Sequence, residues 1–204
     1  MSKKILIIVA HTDDETLGCG SAIQWHNKQK DKVFAISFTN GVSSRININK
    51  SSIKSRLLAS TQVSKYLKFN WVERYNFPDN ELDKISTLEI AKIIENIKKR
   101  IKPNIIYTHH YSDLNVDHQK IFNATIAAFR PLKVSKFEEI RLMEVPSATD
   151  YGQKKNQSNF VPNVFLDSKK FYKKKIEALK LYKNEIKKYP NSRSIQGIIN
   201  LMKY

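Results

Sequence analysis

The stretch IIVAHTDDETLG, residues 7–18, decides how this chain is read. An apolar run, Ile5–Ala10, meets a histidine and three carboxylates with no turn residue between, then passes into a segment of helical character. A short run rich in Ile and Val is the mark of a strand buried on both faces. Carboxylates bunched at the end of such a strand are costly unless something uses them. In open parallel α/β sheets ligands bind beyond the carboxyl ends of the strands, so His11, Asp13, Asp14 and Glu15 stand where a site would be.

The rest of the chain repeats the alternation. Helical patterning follows over Thr16–Lys28, then a second strand at Val33–Phe38 and an Asn40-Gly41 turn signal. Ser51–Leu67 is predicted as a helix, Asn70–Tyr75 as a third strand and Phe77–Asn80 as a loop. Leu88–Ile101 carries Ile90, Ile93, Ile94 and Ile97 in steps of three and four, and Pro103 ends it. Asn104–Thr108 is a fourth strand, Asp117–Phe129 a helix and Glu139–Val145 a fifth strand. Strands separated by helices predict a Rossmann-like α/β sandwich of three layers around a mostly parallel sheet, with residues 1–204 forming one domain. Beyond Pro146 the expectation is a polar loop over Ser147–Phe160, a short edge strand at Val161–Leu166, a long helix over Asp167–Lys188 and a last short helix at Ile195–Met202.

Composition excludes several classes. Hydrophobic residues make up 41% of the 204, enough for a core and too many for a disordered chain. No apolar run approaches the roughly 20 residues that span a bilayer, and the run after Lys3-Lys4 is too short and too soon interrupted for a signal peptide. The single cysteine, Cys19, fits a reducing, cytoplasmic setting. A formal charge of +17 raises nucleic acid as a partner. Most of that charge is lysine in runs suited to solvated helix faces, and arginine, the better reader of phosphate, is sparse. No nucleic-acid partner is therefore expected.

The rim gathers titratable residues from several strands. Asn40 follows the second; His109, His110 and Asp113 follow the fourth, and Asn115, Asp117 and His118 open the next helix. Any one of these has an ordinary explanation: Asp13, Asp14 or Asp117 could cap a helix, and His109 or His110 could be a satisfied core histidine. All of them on one edge is harder to attribute to capping. Asp13 and Asp14 are adjacent, so their side chains diverge, and one can bind a metal while the other faces a neighbouring site. His11, Asp14 and His118 make a set of two histidines and one carboxylate suited to catalytic zinc, with Asp13 placed to take a proton from water. A phosphate loop is unsuited to this stretch, because three carboxylates would repel the phosphate.

AHTDDE after the first strand and DLNVDH after the fourth resemble the PIG-L/LmbE family of zinc-dependent N-acetyl hydrolases, with further similarity in TNG, in Arg56 and Ala59, in EVPSATDY, in PNVFLD and in the late YPNSRS, residues 189–194. The resemblance implies a zinc-dependent hydrolase that removes the N-acetyl group from an amino sugar or its conjugate by metal-activated water. It implies one Zn2+ on His11, Asp14 and His118, with Asp13 as general base. Arg56, Arg45 and Arg130 could approach a phosphate or carboxylate on the substrate, and of these the resemblance supports Arg56 by position; His110 and Asn40 are substrate-side candidates by position on the rim. Glu15 is expected at the start of the first helix, supporting the ligands from behind. Two positions depart from the family pattern. Thr12 replaces a proline, and Asn115 stands where a histidine helps stabilise the tetrahedral intermediate. Asn can donate a hydrogen bond but carries neither proton nor charge. Either Asn115 does a milder job, or His110 or another nearby residue compensates, and Asp117, which would orient that histidine, keeps a supporting role. The alternative is a catalytically impaired sugar-binding protein of the same fold. Self-association is left open.

Overall fold

Strand β1, Lys4–Val9, lies in the middle of the sheet, and the alternation of its side chains divides the protein into layers. Ile5, Ile7 and Val9 enter one core, and Leu6, Ile8 and Ala10 enter the other. A strand covered on both faces has no solvent side, which is why the run reads as continuously apolar. Each buried aliphatic side chain there contributes about 1.5–3 kcal/mol.

The computed structural model describes residues 2–44, 50–131, 137–152 and 159–203. Five strands form one sheet in the order β3-β2-β1-β4-β5, every neighbouring pair parallel: β2 is Lys32–Thr39, β3 Asn70–Phe77, β4 Ile105–His109 and β5 Glu139–Met143. Helices α1 (Asp14–Lys28), α2 (Lys50–Leu67), α5 (Tyr172–Leu181) and α6 (Ile195–Leu201) contribute to the first core, and α3 (Thr87–Ile101) and α4 (Val116–Ala128) to the second. This is the expected α/β sandwich. Chain order reverses between β1 and β4, so the crevice of a doubly wound sheet opens at their carboxyl ends.

Local signals set the boundaries. The Ser86 hydroxyl caps α3 by accepting from the Glu89 N–H, and Lys102 closes the helix in the left-handed region at φ 53°. Two expectations beyond β5 are corrected. Val161–Leu166 pairs with no strand; it is irregular, and Val161 and Phe165 are each 78% exposed. The long helix expected over Asp167–Lys188 is only α5, Tyr172–Leu181. The chain turns at Tyr182 because two of its side chains are needed inward: the Tyr182 hydroxyl donates to Glu15, and Glu185 pairs with Arg56. Among the described residues no helix is long and apolar enough to cross a membrane.

Candidate active site

The loop from β1 into α1 is the frame of the site. Asp13 sits at φ 130°, a strained position for a residue with a side chain, costing on the order of 1–3 kcal/mol. Its neighbours hold it there. The Glu15 carboxylate accepts from the Asp13 N–H at 2.9 Å and from the Thr16 and Tyr182 hydroxyls at 2.6 and 2.9 Å. Arg56 donates to the Thr12 carbonyl at 2.6 Å and the Thr12 hydroxyl at 3.1 Å. Gly41 makes room for it: at φ +66°, a Cβ there would lie 2.7 Å from the Arg56 Nε. Burial pushes Glu15 up to about 7, against the hydrogen bonds from Thr16 and the Asp13 N–H. Glu15 thus supports the loop through the backbone of Asp13 and makes no contact with the metal-ligand candidates.

His11, Asp14 and His118 converge. His11 Nδ1 lies 3.1 Å from His118 Nε2 and 3.2 Å from Asp14 Oδ2, and His118 Nε2 is 3.3 Å from that same oxygen. The opposite nitrogen of each ring is held by carboxylates: His11 Nε2 by Asp79 at 3.0 Å and Asp117 at 3.2 Å, His118 Nδ1 by Asp113 at 2.9 Å. A carboxylate on the far nitrogen fixes the proton there and turns the other lone pair toward the shared point. A tetrahedral zinc with bonds of about 2.0–2.1 Å separates its donors by about 3.3 Å, which these spacings match. Asp14 Oδ1 is buried without a hydrogen-bond partner. Burial alone would depress both imidazoles, but Asp117 and Asp14 beside His11, and Asp14 and Asp113 beside His118, hold both above the ordinary range. Burial would raise Asp14, yet His118 and His11 hold it well below the carboxylate range. A divalent cation bound at this point exchanges for whatever proton the facing ring nitrogens carry. Two further sets overlap this one, His109–Asp113–His118 and His11–Asp79–Asp117. The first is sealed, with His109 and Asp113 both fully buried; the second uses the His11 nitrogen that faces away from His118.

Asp13 is divided between two arginines. Its Oδ1 accepts from Arg56 at 2.6 Å, while Oδ2 has Arg193 at 3.5 Å. Burial raises Asp13 to about 6, with Arg56 and Arg193 restraining the rise. A carboxyl that titrates near neutrality with one oxygen lightly held is suited to proton transfer.

Other expected residues take different places. Asn115 is the N-cap of α4: its Oδ1 accepts from the Asp117 and His118 N–H groups, and its Nδ2 donates to Asn80 at 3.0 Å. It still lines the cleft, but both ends of its amide are engaged. Asp117 is not the cap; its carboxylate accepts from the Asn80 and Leu82 N–H groups and faces His11. His110 does not line the cleft and so does not compensate for Asn115. It accepts from Ser112 and lines a separate groove beside β5 with Phe160. Asn40 closes its own turn by accepting from the Val42 and Ser43 N–H groups. Arg56 does line the cleft, yet its guanidinium is turned toward the protein: Nε and Nη2 donate to Thr12 and Asp13, and Nη1, buried without a hydrogen-bond partner among the described residues, lies 2.6 Å from Glu185. Among the described residues Arg130 donates to the Ala127 carbonyl near the end of its own helix, and Arg45 lies outside the described residues.

Sequence reasoning passed over Asp79 and Glu185, met Arg193 only within YPNSRS, and gave Asp113 a place on the rim without a role. Asp79 sits in the loop after β3, at the same carboxyl edge of the sheet. Burial would raise its carboxyl, but His11 holds it down at about 2. Glu185 and Arg193 come from C-terminal segments read as helix and tail, and they reach the site only because α5 stops early. The cleft these residues enclose has a volume of about 520 Å³, within the usual range for small-molecule sites, and carries Ser44, Asn80, Ser147 and Ala148 on its walls.

Residues 6–129 match the PIG-L family, described as GlcNAc-PI de-N-acetylase, and the chain belongs to that family of deacetylases, which makes it a hydrolytic enzyme by kinship. It is 29% identical over 189 residues to the uncharacterized deacetylase YaiS of Escherichia coli, covering 89% of this chain and 91% of that one. Among solved structures it resembles the N,N'-diacetylchitobiose deacetylase of Pyrococcus horikoshii, with TM-score 0.73 and 19% identity over 91% of this chain and 72% of that one. It equally resembles GalB, the 4-carboxy-2-hydroxymuconate hydratase of Pseudomonas putida, with TM-score 0.75 and 16% identity, covering 98% of this chain and 84% of that one. The fold therefore hosts more than one reaction.

Proposed function

We propose that the chain removes the acetyl group from an N-acetylated amino sugar, free or conjugated, using one zinc ion held by His11, Asp14 and His118. The observation that carries this reading is the convergence of three donor atoms at 3.1–3.3 Å beside a carboxylate with one lightly held oxygen. Bound there, zinc supplies a Lewis acid that polarises the amide carbonyl and lowers the pKa of water toward ~7. Asp13 Oδ2 takes the proton of the attacking water and returns it to the departing nitrogen, a contribution of about 10²–10⁴-fold. Asp79, Asp117 and Asp113 keep the two imidazoles oriented, and Arg56 keeps Asp13 Oδ1 occupied so that Oδ2 is the reacting oxygen. A polar cleft of about 520 Å³ supports a sugar-sized substrate. The buried, unpaired Cys19 supports a reducing, cytoplasmic setting.

The test is acetate release from a panel of N-acetylhexosamines and their conjugates, with zinc content measured on the same preparation. Asp13→Asn is expected to lower kcat by at least about 10²-fold with zinc content unchanged. The engagement of both ends of Asn115 favours one second reading, a sugar-binding protein without turnover. Ligand binding without acetate release at any zinc loading would select that reading.

A further inference from the structure

Deacetylation by the route above places a negative charge on the carbonyl oxygen, and the chain must meet it. The donors on the cleft wall are mostly spent. His118 has Asp113 on one nitrogen and the metal cluster on the other; Asn115 caps α4; Ser44 is bonded to Asp79; Arg56 gives Nε and Nη2 to Thr12 and Asp13 and holds its buried Nη1 against Glu185. Arg193 differs. Its two side-chain contacts among the described residues are long, 3.4 Å from Nε to the Pro146 carbonyl and 3.5 Å from Nη1 to Asp13 Oδ2, and its side chain is 17% exposed against 6% for Arg56. Contacts at those lengths hold a guanidinium loosely and leave donor capacity for a closer acceptor.

Its position is also set. The Asn191 side chain accepts from the Arg193 N–H at 2.8 Å, and the next residue, Ser194, is the buried N-cap of α6. The backbone that carries Arg193 is therefore fixed while its head group faces the cleft. Because Arg56 claims Asp13 Oδ1, the proton-accepting oxygen is Oδ2, the one beside Arg193. A water that gives its proton to Oδ2 lies one hydrogen bond away, and the carbonyl it attacks lies one bond further, within the span of the guanidinium.

We propose that Arg193 is a catalytic residue that donates hydrogen bonds to the oxyanion of the tetrahedral intermediate, and this rests on the deacetylase reading. The water oxygen bonds to the carbonyl carbon as its proton passes to Asp13 Oδ2, and the carbonyl π pair moves to the oxygen that Arg193 faces. On collapse that pair re-forms the carbonyl and the C–N bond breaks. Nitrogen leaves with the bonding pair and the proton from Asp13, giving the free amine and acetic acid, whose remaining hydroxyl proton is lost to solvent as it ionises to acetate. A preorganised cation at the developing charge is worth about 10²–10³ in kcat.

The experiment compares zinc-loaded wild type, Arg193→Ala and Arg193→Lys. Three quantities are read: kcat and KM for acetate release; the Kd of a methylphosphonamidate analogue of the N-acetyl group, a tetrahedral anion; and the Kd of the free amine product. Arg193→Ala should lower kcat about 10²-fold or more with KM changed less than about threefold. It should weaken the analogue by a similar factor, leave the product Kd unchanged, and recover part of its activity with added guanidinium ion. If Arg193→Ala fails to fold, Arg193→Lys is read instead, with a loss of about tenfold expected because lysine keeps the charge but not the fork. A kcat within about threefold of wild type, or equal weakening of analogue and product, overturns the assignment and leaves the deacetylase reading standing. A wild type that releases no acetate overturns both.

Discussion

Replacing Asp113 by alanine removes the partner that fixes His118 without touching any proposed metal ligand. Asp113 is fully buried, and its Oδ2 accepts from His118 Nδ1 at 2.9 Å and from the Thr149 hydroxyl at 3.1 Å. Without it, the His118 proton is free to move to Nε2, the nitrogen that faces His11 and Asp14, and the ring loses its anchor. Loss of such a partner typically costs 10–100-fold in metal affinity, or about 1.4–2.7 kcal/mol. Leaving the His118 N–H and the Thr149 hydroxyl unpaired costs stability as well, about 1–3 kcal/mol per group, so a melting curve accompanies the measurement. Asp113→Asn keeps an acceptor but not the charge, and should lose about tenfold. The assay is competition for Zn2+ between the stripped protein and a chromophoric chelator at fixed neutral pH. An affinity within about twofold of wild type in folded Asp113→Ala would refute the orienting role. A loss beyond about a thousandfold would mean that Asp113 is itself a ligand, and would favour the His109–Asp113–His118 set.

Three further outcomes are expected. Zinc binding should weaken as pH falls, because the raised pKa values of His11 and His118 let protons compete from above the ordinary histidine range; calorimetry in two buffers of different ionisation enthalpy should show protons released on binding, and a count near zero would contradict the charge exchange. Asn115→His should lower stability by about 1 kcal/mol through loss of the α4 cap, a fall of about 2–4 °C in Tm, with no gain in kcat; a rise in kcat would show that the cap is not the main role of Asn115. Lys175 is buried on α5, and burial lowers its pKa to about 8, opposed by Cys19 and Glu144. Falling pH protonates the unfolded chain first, near ~10.4, so the penalty grows from there down to about pH 8 and is complete below it. Lys175→Met should therefore raise Tm at neutral pH, by on the order of 2–3 kcal/mol in stability, and the gain should vanish near pH 11; an equal gain at both pH values would refute the burial penalty.

The elements were legible where one physical rule dominated. The continuous burial of β1 and the three- and four-residue steps of α3 each admit one reading, and the carboxyl-edge rule then gathers His11, Asp14 and His118 from segments a hundred residues apart. Legibility ended where tertiary contacts override local pattern. The Asp167–Lys188 segment has helical composition throughout, yet α5 stops at Leu181 because Tyr182 and Glu185 are drawn to Glu15 and Arg56. Asp79 and Arg193 belong to loops whose path is set by packing rather than by period, so periodicity does not bring them to the site, and for Arg193 the resemblance of YPNSRS marks the stretch without giving the residue a role. His109 and His110 are adjacent at a strand end, where side chains alternate. The first is buried against His118, with ring centroids 3.8 Å apart, and the second faces the groove beside β5. Choosing between them requires the register of β4. Asn115 follows the same lesson: as a departure from a motif it suggested chemistry, and as an N-cap its amide is used by the helix.

The most direct test is a zinc titration of the stripped protein, with acetate release from an N-acetylhexosamine conjugate measured at each addition. Activity should rise in proportion to zinc and level off at one equivalent per chain. Turnover that persists without metal, or no acetate at any loading across the substrate panel, would contradict a zinc deacetylase built on His11, Asp14 and His118.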